Sequence, residues 1–267
     1  MCLVAVAWHA HPRWRLALIA NRDEFHARPA AAAGADPDVR DVYGGRDLVA
    51  GGGWLQVSTA SRGGRLAAVT NVRAGIAGDA APRSRGWLVR DFVRGHDPAA
   101  AFAANLGATA TGYGRFNLLA CDGAALFAAG NHPAFAMQSV SPGLHAMSNG
   151  AFDAPWPKSM RATQALQAWL PSAAADAGEA GIGDAIEPLF AALRDTSVAP
   201  DRDLPETGVG LALERALSPP FVLDARYGTR CSSVVLMGAQ AIVFAERRFD
   251  AFGAVLGTSL ARLPLPR

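Results

Sequence analysis

The hydrophobic and polar positions of the chain predict strands that come mostly in antiparallel pairs. Short apolar runs at 3–8 and 15–21 flank a His/Pro turn, a pattern typical of a β-hairpin. Further pairs are predicted at 54–58 with 65–71, at 116–121 with 125–129 and at 231–237 with 241–247, each around a glycine-containing turn. Another strand is predicted to end at Ser148-Asn149.

Helical spacing of apolar residues predicts helices at 85–94, 98–106, 157–170 and 182–193, whereas 28–47 and 195–207 have the composition of loops. The helices are collected between hairpins and do not alternate with single strands. This order favours an α+β layered fold over a βαβ series. With no repeat and no linker, residues 1–267 are expected to form one domain.

Composition and charge exclude several classes of protein. The chain has 267 residues, of which 51% are hydrophobic, so wholesale disorder is excluded. The net charge of +2, without runs of like charge, argues against nucleic-acid binding and against a polybasic membrane patch. No transmembrane segment or signal peptide is predicted, and three cysteines without a CxxC motif fit a reduced, cytoplasmic compartment. Lys158 is the only lysine, which we attribute to compositional bias.

Cys2 is the first candidate for chemistry. If Met1 is removed, the chain begins with a thiol and a free α-amino group, whose unperturbed pKa values are about 8.5 and about 7.7–8.0. The amine could then accept the proton of the thiol and activate it as a nucleophile. The alternative is that Cys2 is a small apolar residue at the start of a core strand.

Polar residues at other predicted strand ends form a constellation with Cys2. A cluster at 21–24, Asn-Arg-Asp-Glu, would return close to Cys2 if the first two strands pair, with Asn21 and Asp23 on one face and Arg22 and Glu24 on the other. Asn71 could donate in an oxyanion hole, Asn149 ends another strand, and Arg230 offers a guanidinium at a sheet end. Taken alone, each of these residues is more typical of a turn or a cap, and it is their combination with Cys2 that points to a site.

Taken in order, these motifs resemble the NRDE family, also called the transport-and-Golgi-organisation protein 2 family. The likeness runs through nearly the whole chain and is carried by Asn21-Arg22-Asp23-Glu24-Phe25, Arg28-Pro29, Gly52-Gly53-Trp54-Leu55, Leu66-Ala67-Ala68-Val69-Thr70-Asn71, Ser84-Arg85-Gly86, Phe116-Asn117-Leu118-Leu119, Ser148-Asn149, Pro155-Trp156-Pro157-Lys158, Tyr227-Gly228-Thr229-Arg230 and Glu246-Arg247.

The resemblance implies an N-terminal nucleophile hydrolase-like fold, a four-layer αββα sandwich of two antiparallel sheets. Conjugated-bile-acid hydrolases and penicillin V acylases share that fold, and their pattern suggests Cys2 as nucleophile, Asp23 at the α-amino group and Asn71 in the oxyanion hole. Asn149 and Arg230 occupy the matching later positions. Those acylases separate their Arg and Asp by two residues, whereas Arg22 and Asp23 are adjacent here and cannot both face Cys2. We favour Asp23 for the amine and a structural ion pair for Arg22.

Two functions follow from the resemblance. One is an enzyme, an amidase or acyltransferase that needs no cofactor or metal and acts on a linear, non-peptide C–N amide through a Cys2 thioester. The other is a carrier, implied by a role of the family in haem trafficking, that holds haem or another hydrophobic ligand in the same cleft without catalysis. A third alternative is a fold retained without activity.

Overall fold

Thirteen strands and six α-helices are formed by the residues that the computed structural model describes, which are 2–75, 81–178 and 181–266. The strands are β1 (Cys2–Trp8), β2 (Leu16–Phe25), β3 (Ala30–Ala35), β4 (Val42–Asp47), β5 (Gly53–Ser58), β6 (Arg65–Asn71), β7 (Phe116–Cys121), β8 (Leu126–Gly130), β9 (Ala136–Ser139), β10 (Gly143–Met147), β11 (Tyr227–Met237), β12 (Ala241–Phe249) and β13 (Val255–Pro264). The helices are α1 (Gly86–Arg94), α2 (Ala99–Leu106), α3 (Pro157–Trp169), α4 (Ile182–Ala185), α5 (Glu187–Leu193) and α6 (Leu211–Ala216).

The strands form two antiparallel sheets. The first sheet has the order β10-β1-β2-β11-β12-β13, and the second has the order β3-β4-β5-β6-β7-β8-β9. In the second sheet every strand pairs with its neighbours in the sequence. The first sheet instead joins segments that are far apart in the chain, because β2 pairs with β1 on one side and with β11 on the other.

Three apolar clusters separate four layers. One cluster fills the space between the sheets and contains Cys2, Val4 and Leu18 from the first sheet with Leu55 and Leu66 from the second. The first sheet packs its other face on α3, α4 and α5, and the second sheet packs its other face on α1 and α2. The predicted αββα sandwich is therefore confirmed. Within the described ranges, no helix has both the length and the apolar character needed to cross a bilayer.

Two segments differ from the structure predicted for them, and β9, α6 and β13 lie where no element was predicted. The segment 28–47, expected to be a loop, contains β3 and β4. The alanine-rich sequence of β3 has low strand propensity, and β3 forms because it pairs with β4. The backbone N–H of Ala33 in β3 also donates to Glu246 Oε1 of β12 over 2.8 Å, which ties the two sheets together. The helix expected at 182–193 is divided into α4 and α5 at Ile186, where Pro188 follows in the first turn of α5.

An ion pair holds α1 against the loop between β3 and β4. Arg94 Nη2 lies 2.6 Å from both carboxylate oxygens of Asp36, which is buried. Burial by itself raises the pKa of Asp36, but the hydrogen bonds from Arg94 and from the N–H of Asp38 outweigh it and leave the pKa below its ordinary value. Arg90, on the same helix, pairs with the exposed Asp38 over 3.2 Å.

We expect Arg94→Met to lower the free energy of unfolding by about 1–3 kcal/mol, because a buried carboxylate loses its charged donor. The matched control Arg90→Met should cost less than about 1 kcal/mol, as exposed pairs do. Urea denaturation at pH 7 measures both. Because the pKa of Asp36 is depressed in the folded state, the difference between wild type and Arg94→Met should narrow as the pH falls below about 3.9. Equal effects of the two substitutions would contradict the assignment.

Candidate active site

The register of β1 on β2 fixes which side chains accompany Cys2. Cys2 lies directly opposite Arg22, so their side chains share the face between the sheets. Asn21 and Asp23 point to the other face of β2. Asn21 Nδ2 donates over 2.8 Å to the carbonyl of Leu193 at the end of α5 and over 2.8 Å to the carbonyl of Pro220. Asn21 therefore fastens β2 to the helix layer.

The Cys2 thiol is buried at the edge of a cleft of about 570 Å³. Burial raises its pKa, as does the negative charge of Asp23, whereas Arg22 and a hydrogen bond from the backbone N–H of Asp23 lower it. The other two cysteines are also buried; burial raises the pKa of Cys121 to about 12 and that of Cys231 well above its ordinary value. A thiol with a raised pKa needs a base before it can act as a nucleophile.

Asp23 is buried beside Cys2 and lines the same cleft. Its Oδ1 accepts a hydrogen bond from Thr229 Oγ1 over 2.7 Å. Burial raises the pKa of Asp23, and the ammonium of Lys158 is the side-chain charge that opposes this most strongly. The carboxylate is thus held in place by β11 and is balanced by a cation from α3.

Arg22 begins a chain of charges along the cleft. Its Nη2 lies 3.7 Å from Glu24 Oε2, and Glu24 Oε2 lies 3.8 Å from Arg28 Nε. Arg28 in turn pairs with Asp47 over 2.5 Å. This arrangement matches the structural ion pair expected for Arg22, and it leaves the rim of the cleft with alternating charges.

Asn71 and Asn149 meet where the two sheets join. Asn71 is the last residue of β6 and lines the cleft with Cys2, whereas Asn149 follows β10 and is fully buried. Asn149 Nδ2 donates to the backbone oxygen of Asn71 over 2.9 Å and to Asn71 Oδ1 over 3.2 Å. Ser148 Oγ donates to the carbonyl of Cys2 over 3.0 Å, so the same segment also holds β1. Asn71 borders the cleft directly, and Asn149 supports it from behind.

Arg230, which the resemblance groups with Asn149 among the later site residues, does not join this group. The pairing of β2 with β11 shifts by one residue between Thr229 and Cys231, and Arg230 is the extra residue of that bulge. Its Nη1 donates to the carbonyls of Phe25, His26 and Arg28 over 2.9, 3.2 and 3.0 Å. The guanidinium therefore fixes the segment that leaves β2.

Two residues to which the sequence assigned no role in the site lie beside it. Lys158 is buried in the first turn of α3, and its Nζ donates to Asn149 Oδ1 over 3.2 Å. Arg73 lines the cleft, forms a buried ion pair with Glu214 of α6 and donates from Nε to Thr207 Oγ1 over 2.8 Å. The signal for Lys158 was its being the only lysine in the chain. Arg73 had no comparable signal, because its partner is 141 residues away.

An apolar groove of about 550 Å³ adjoins the cleft. The two cavities share Phe25, Leu213, Leu217 and Tyr227. Val198 and Leu223, whose side chains are exposed, extend the groove away from Cys2. The combined space has a polar end at Cys2 and Asn71 and an apolar end between α6 and the start of β11.

We expect Arg230→Met to lower the free energy of unfolding by about 1–2 kcal/mol, because three carbonyl partners lose a charged donor that is partly exposed. The matched control is Arg226→Met, which removes an exposed guanidinium four residues earlier and should change stability by less than about 0.5 kcal/mol. Urea denaturation of both variants measures this. Unchanged stability in Arg230→Met would contradict a structural role for Arg230.

Comparisons with known proteins agree with one another. A family model described as Transport and Golgi organisation 2 matches residues 1–251. The chain is 31% identical over 265 residues to the Transport and Golgi organization protein 2 homolog of Bos taurus, with 92% of each chain covered. It is 28% identical over 267 residues to the homolog of Homo sapiens, again covering 92% of each chain. The protein of Drosophila melanogaster is 26% identical over 267 residues, covering 90% of this chain and 89% of its own. The chain therefore belongs to the Transport and Golgi organisation 2 family.

Proposed function

We propose that the protein hydrolyses or transfers the acyl group of a linear, non-peptide amide through a thioester on Cys2. The observation that carries this proposal is that the Cys2 thiol and the Asn71 carboxamide line one cleft. A nucleophile and a hydrogen-bond donor for the developing oxyanion are the two groups that acyl transfer needs side by side.

The reaction begins with removal of Met1, which leaves the α-amine of Cys2 as the base. The amine takes the thiol proton, the sulfur attacks the carbonyl carbon, and the oxyanion of the tetrahedral intermediate accepts a hydrogen bond from Asn71 Nδ2. The C–N bond then breaks, and the leaving amine takes the proton from the α-ammonium. Water attacks the thioester in the same way, delivering one proton to the α-amine, and the C–S bond breaks to release the acid and restore the thiol.

Three of the other predicted residues support these steps without touching the acyl group. Asp23, which is buried and lines the same cleft as Cys2, stabilises the α-ammonium that forms when the thiol is deprotonated. Arg22 lowers the pKa of the thiol, and Asn149 holds Asn71. The adjoining groove fits the apolar acyl portion of a substrate, and the charged rim fits a small polar amine.

The groove also favours a second candidate, a carrier that holds a hydrophobic ligand without catalysis. Haem itself fits poorly. Within the described ranges, neither the cleft nor the groove is lined by His or Met, and burial raises the pKa of the Cys2 thiol, which disfavours the thiolate that would bind iron. Two of the arginines that line the cleft are already engaged with carboxylates, Arg28 with Asp47 and Arg73 with Glu214.

We expect Cys2 to be the cysteine that iodoacetamide modifies first. Burial raises the pKa of all three thiols, to about 12 for Cys121 and well above the ordinary value for Cys231, but Cys2 borders the cleft that a reagent can enter. Limited labelling followed by peptide mapping measures the order of modification. Cys2→Ala is the control, in which early labelling should disappear. Earlier modification of Cys121 or Cys231 would contradict a nucleophilic Cys2.

We expect Asn71→Ala to reduce kcat toward N-acyl substrates by about 10²–10³, the cost of losing one oxyanion donor. An uncleavable residue ahead of Cys2 should abolish turnover, because the Cys2 nitrogen is then an amide and cannot act as a base. Intact-mass measurement verifies the N-terminus, and kinetics on a panel of N-acyl amides measures the effect. The matched control is Asn105→Ala, which removes an exposed carboxamide from α2 and should leave kcat unchanged.

The same two variants separate the enzyme from the carrier. A carrier needs neither the free amine nor the Asn71 donor, so both variants would keep their affinity for hydrophobic probes such as haem or a fatty acid. Turnover that survives the blocked N-terminus would contradict the proposed mechanism. Unaltered probe binding with no turnover in the wild type would favour the carrier.

A further inference from the structure

We infer that Lys158 is a positioning residue of this site, which sets the orientation of the Asn149 and Asn71 carboxamides and so directs the Asn71 N–H groups into the cleft. The inference rests on the proposed function in treating Asn71 as the oxyanion donor. The orientation of the two carboxamides is a structural property that can be measured by itself.

The local fold brings the lysine to this position. Trp156 packs its indole against Gly150, where an added Cβ would lie 2.5 Å from Trp156 Cζ2. Pro157 then begins α3, and Lys158 in the first turn points into the protein with a side chain that is 2% exposed. The tight contact at Gly150 keeps the first turn of α3 close to Asn149. Lys158 Nζ can therefore reach Asn149 Oδ1 over 3.2 Å.

The direction of each hydrogen bond follows from the ammonium. An ammonium has three donors and no acceptor, so the Asn149 atom that faces it must be the oxygen. The amide nitrogen of Asn149 then faces Asn71 and donates to its backbone oxygen and to Oδ1, over 2.9 and 3.2 Å. With Oδ1 of Asn71 occupied in this way, its Nδ2 is the part of the side chain left for a ligand in the cleft. Without the ammonium, either carboxamide could turn over.

The charges around Lys158 suit this role. Asp23 from β2, Cys2 from β1 and Glu214 from α6 favour the ammonium, while Arg73 and, above all, burial disfavour it and lower the pKa of Lys158 to about 8. The lysine is therefore protonated below about pH 8 and loses its proton above it. The chain has one lysine, and its other basic side chains of this kind are all arginines. That one lysine is buried beside Asn149. The compact ammonium of a lysine donates to Asn149 here. The planar guanidinium of an arginine is larger and presents its donors in a different geometry.

The wild-type protein allows a direct test by NMR. Labelling with ¹³C,¹⁵N-lysine gives one lysine spin system, because the chain has one lysine. We expect its signal to titrate with a midpoint near 8, and the side-chain amide signals of Asn149 and Asn71 to shift with the same midpoint. Amide signals that do not move with the lysine would overturn the inference. This measurement needs no substitution and no substrate, so it decides the inference even if the protein turns over no amide.

Substitution provides a second test with a matched control. In Lys158→Met the amide signals of Asn149 and Asn71 should cease to titrate, and kcat should fall toward the loss of about 10²–10³ expected for a missing oxyanion donor. The control Arg161→Met removes a partly exposed cation from the next turn of α3 and should change neither.

A double-mutant cycle distinguishes positioning from general damage. If Lys158 acts through Asn71, adding Lys158→Met to Asn71→Ala should cause little further loss of kcat. Additive losses would overturn the inference. Loss of turnover in Lys158→Met with unchanged amide signals would also overturn it, because the lysine would then act by another route. Urea denaturation of each variant confirms that the comparison is made on folded protein.

Discussion

The requirement to satisfy three consecutive polar residues buried in one strand determines much of this structure. Asn21, Arg22 and Asp23 are buried in β2, and an unpaired polar or charged group there would cost several kcal/mol. Each therefore has a fixed partner. Asn21 donates to carbonyls at 193 and 220 and accepts from Ser232 Oγ over 2.6 Å, Asp23 accepts from Thr229, and Arg22 pairs with Glu24. These contacts attach β2 to the helix layer, to β11 and to the rim of the cleft. The candidate site is thus built on the strand that carries these buried polar side chains.

The geometry of the site also depends on the junction between the two sheets. Cys2 belongs to one sheet and Asn71 to the other, so their relative position depends on the contacts that cross between them. Thr70 Oγ1 donates to the carbonyl of Ser148, the N–H of Arg73 donates to the carbonyl of Asn149 over 2.7 Å, and Asn149 donates to Asn71. The candidate nucleophile and donor are held by strand ends and not by a long loop, an arrangement that keeps reacting groups in a defined geometry.

The sequence predicted the parts of the fold that depend on local pattern. Alternation in the apolar runs predicted the hairpins, and it placed Asn21 and Asp23 on the face opposite Arg22 and Glu24. It failed where distant segments decide the outcome. The sequence of β3 predicts a loop because alanine and glycine have little strand propensity. In the structure, pairing with β4 and a hydrogen bond to Glu246 hold this segment as a strand. Arg230 was expected in the pocket because the resemblance includes a late arginine and Gly228 allows a turn before it, but Arg230 is the extra residue of a bulge in β11 and points elsewhere. The part played by Lys158 depends on Asn149, nine residues earlier, and on the end of β6, so neither strand alternation nor helical spacing could reveal it.

The pairing of β2 with β11 also determines when the site can exist during synthesis. The second sheet uses only residues 30–139, with each strand beside its neighbour in the sequence, so its pairings can form as the chain emerges from the ribosome. The first sheet cannot be completed until residues 227–237 have been made, because β11 covers the free edge of β2. Until then β2 presents an unpaired edge together with its polar residues. Pairing β2 with β11 closes a long loop of chain, and such non-local pairing is slow compared with the pairing of neighbouring strands. The candidate site is therefore among the last regions of the protein to form, and the nascent chain has no complete cleft.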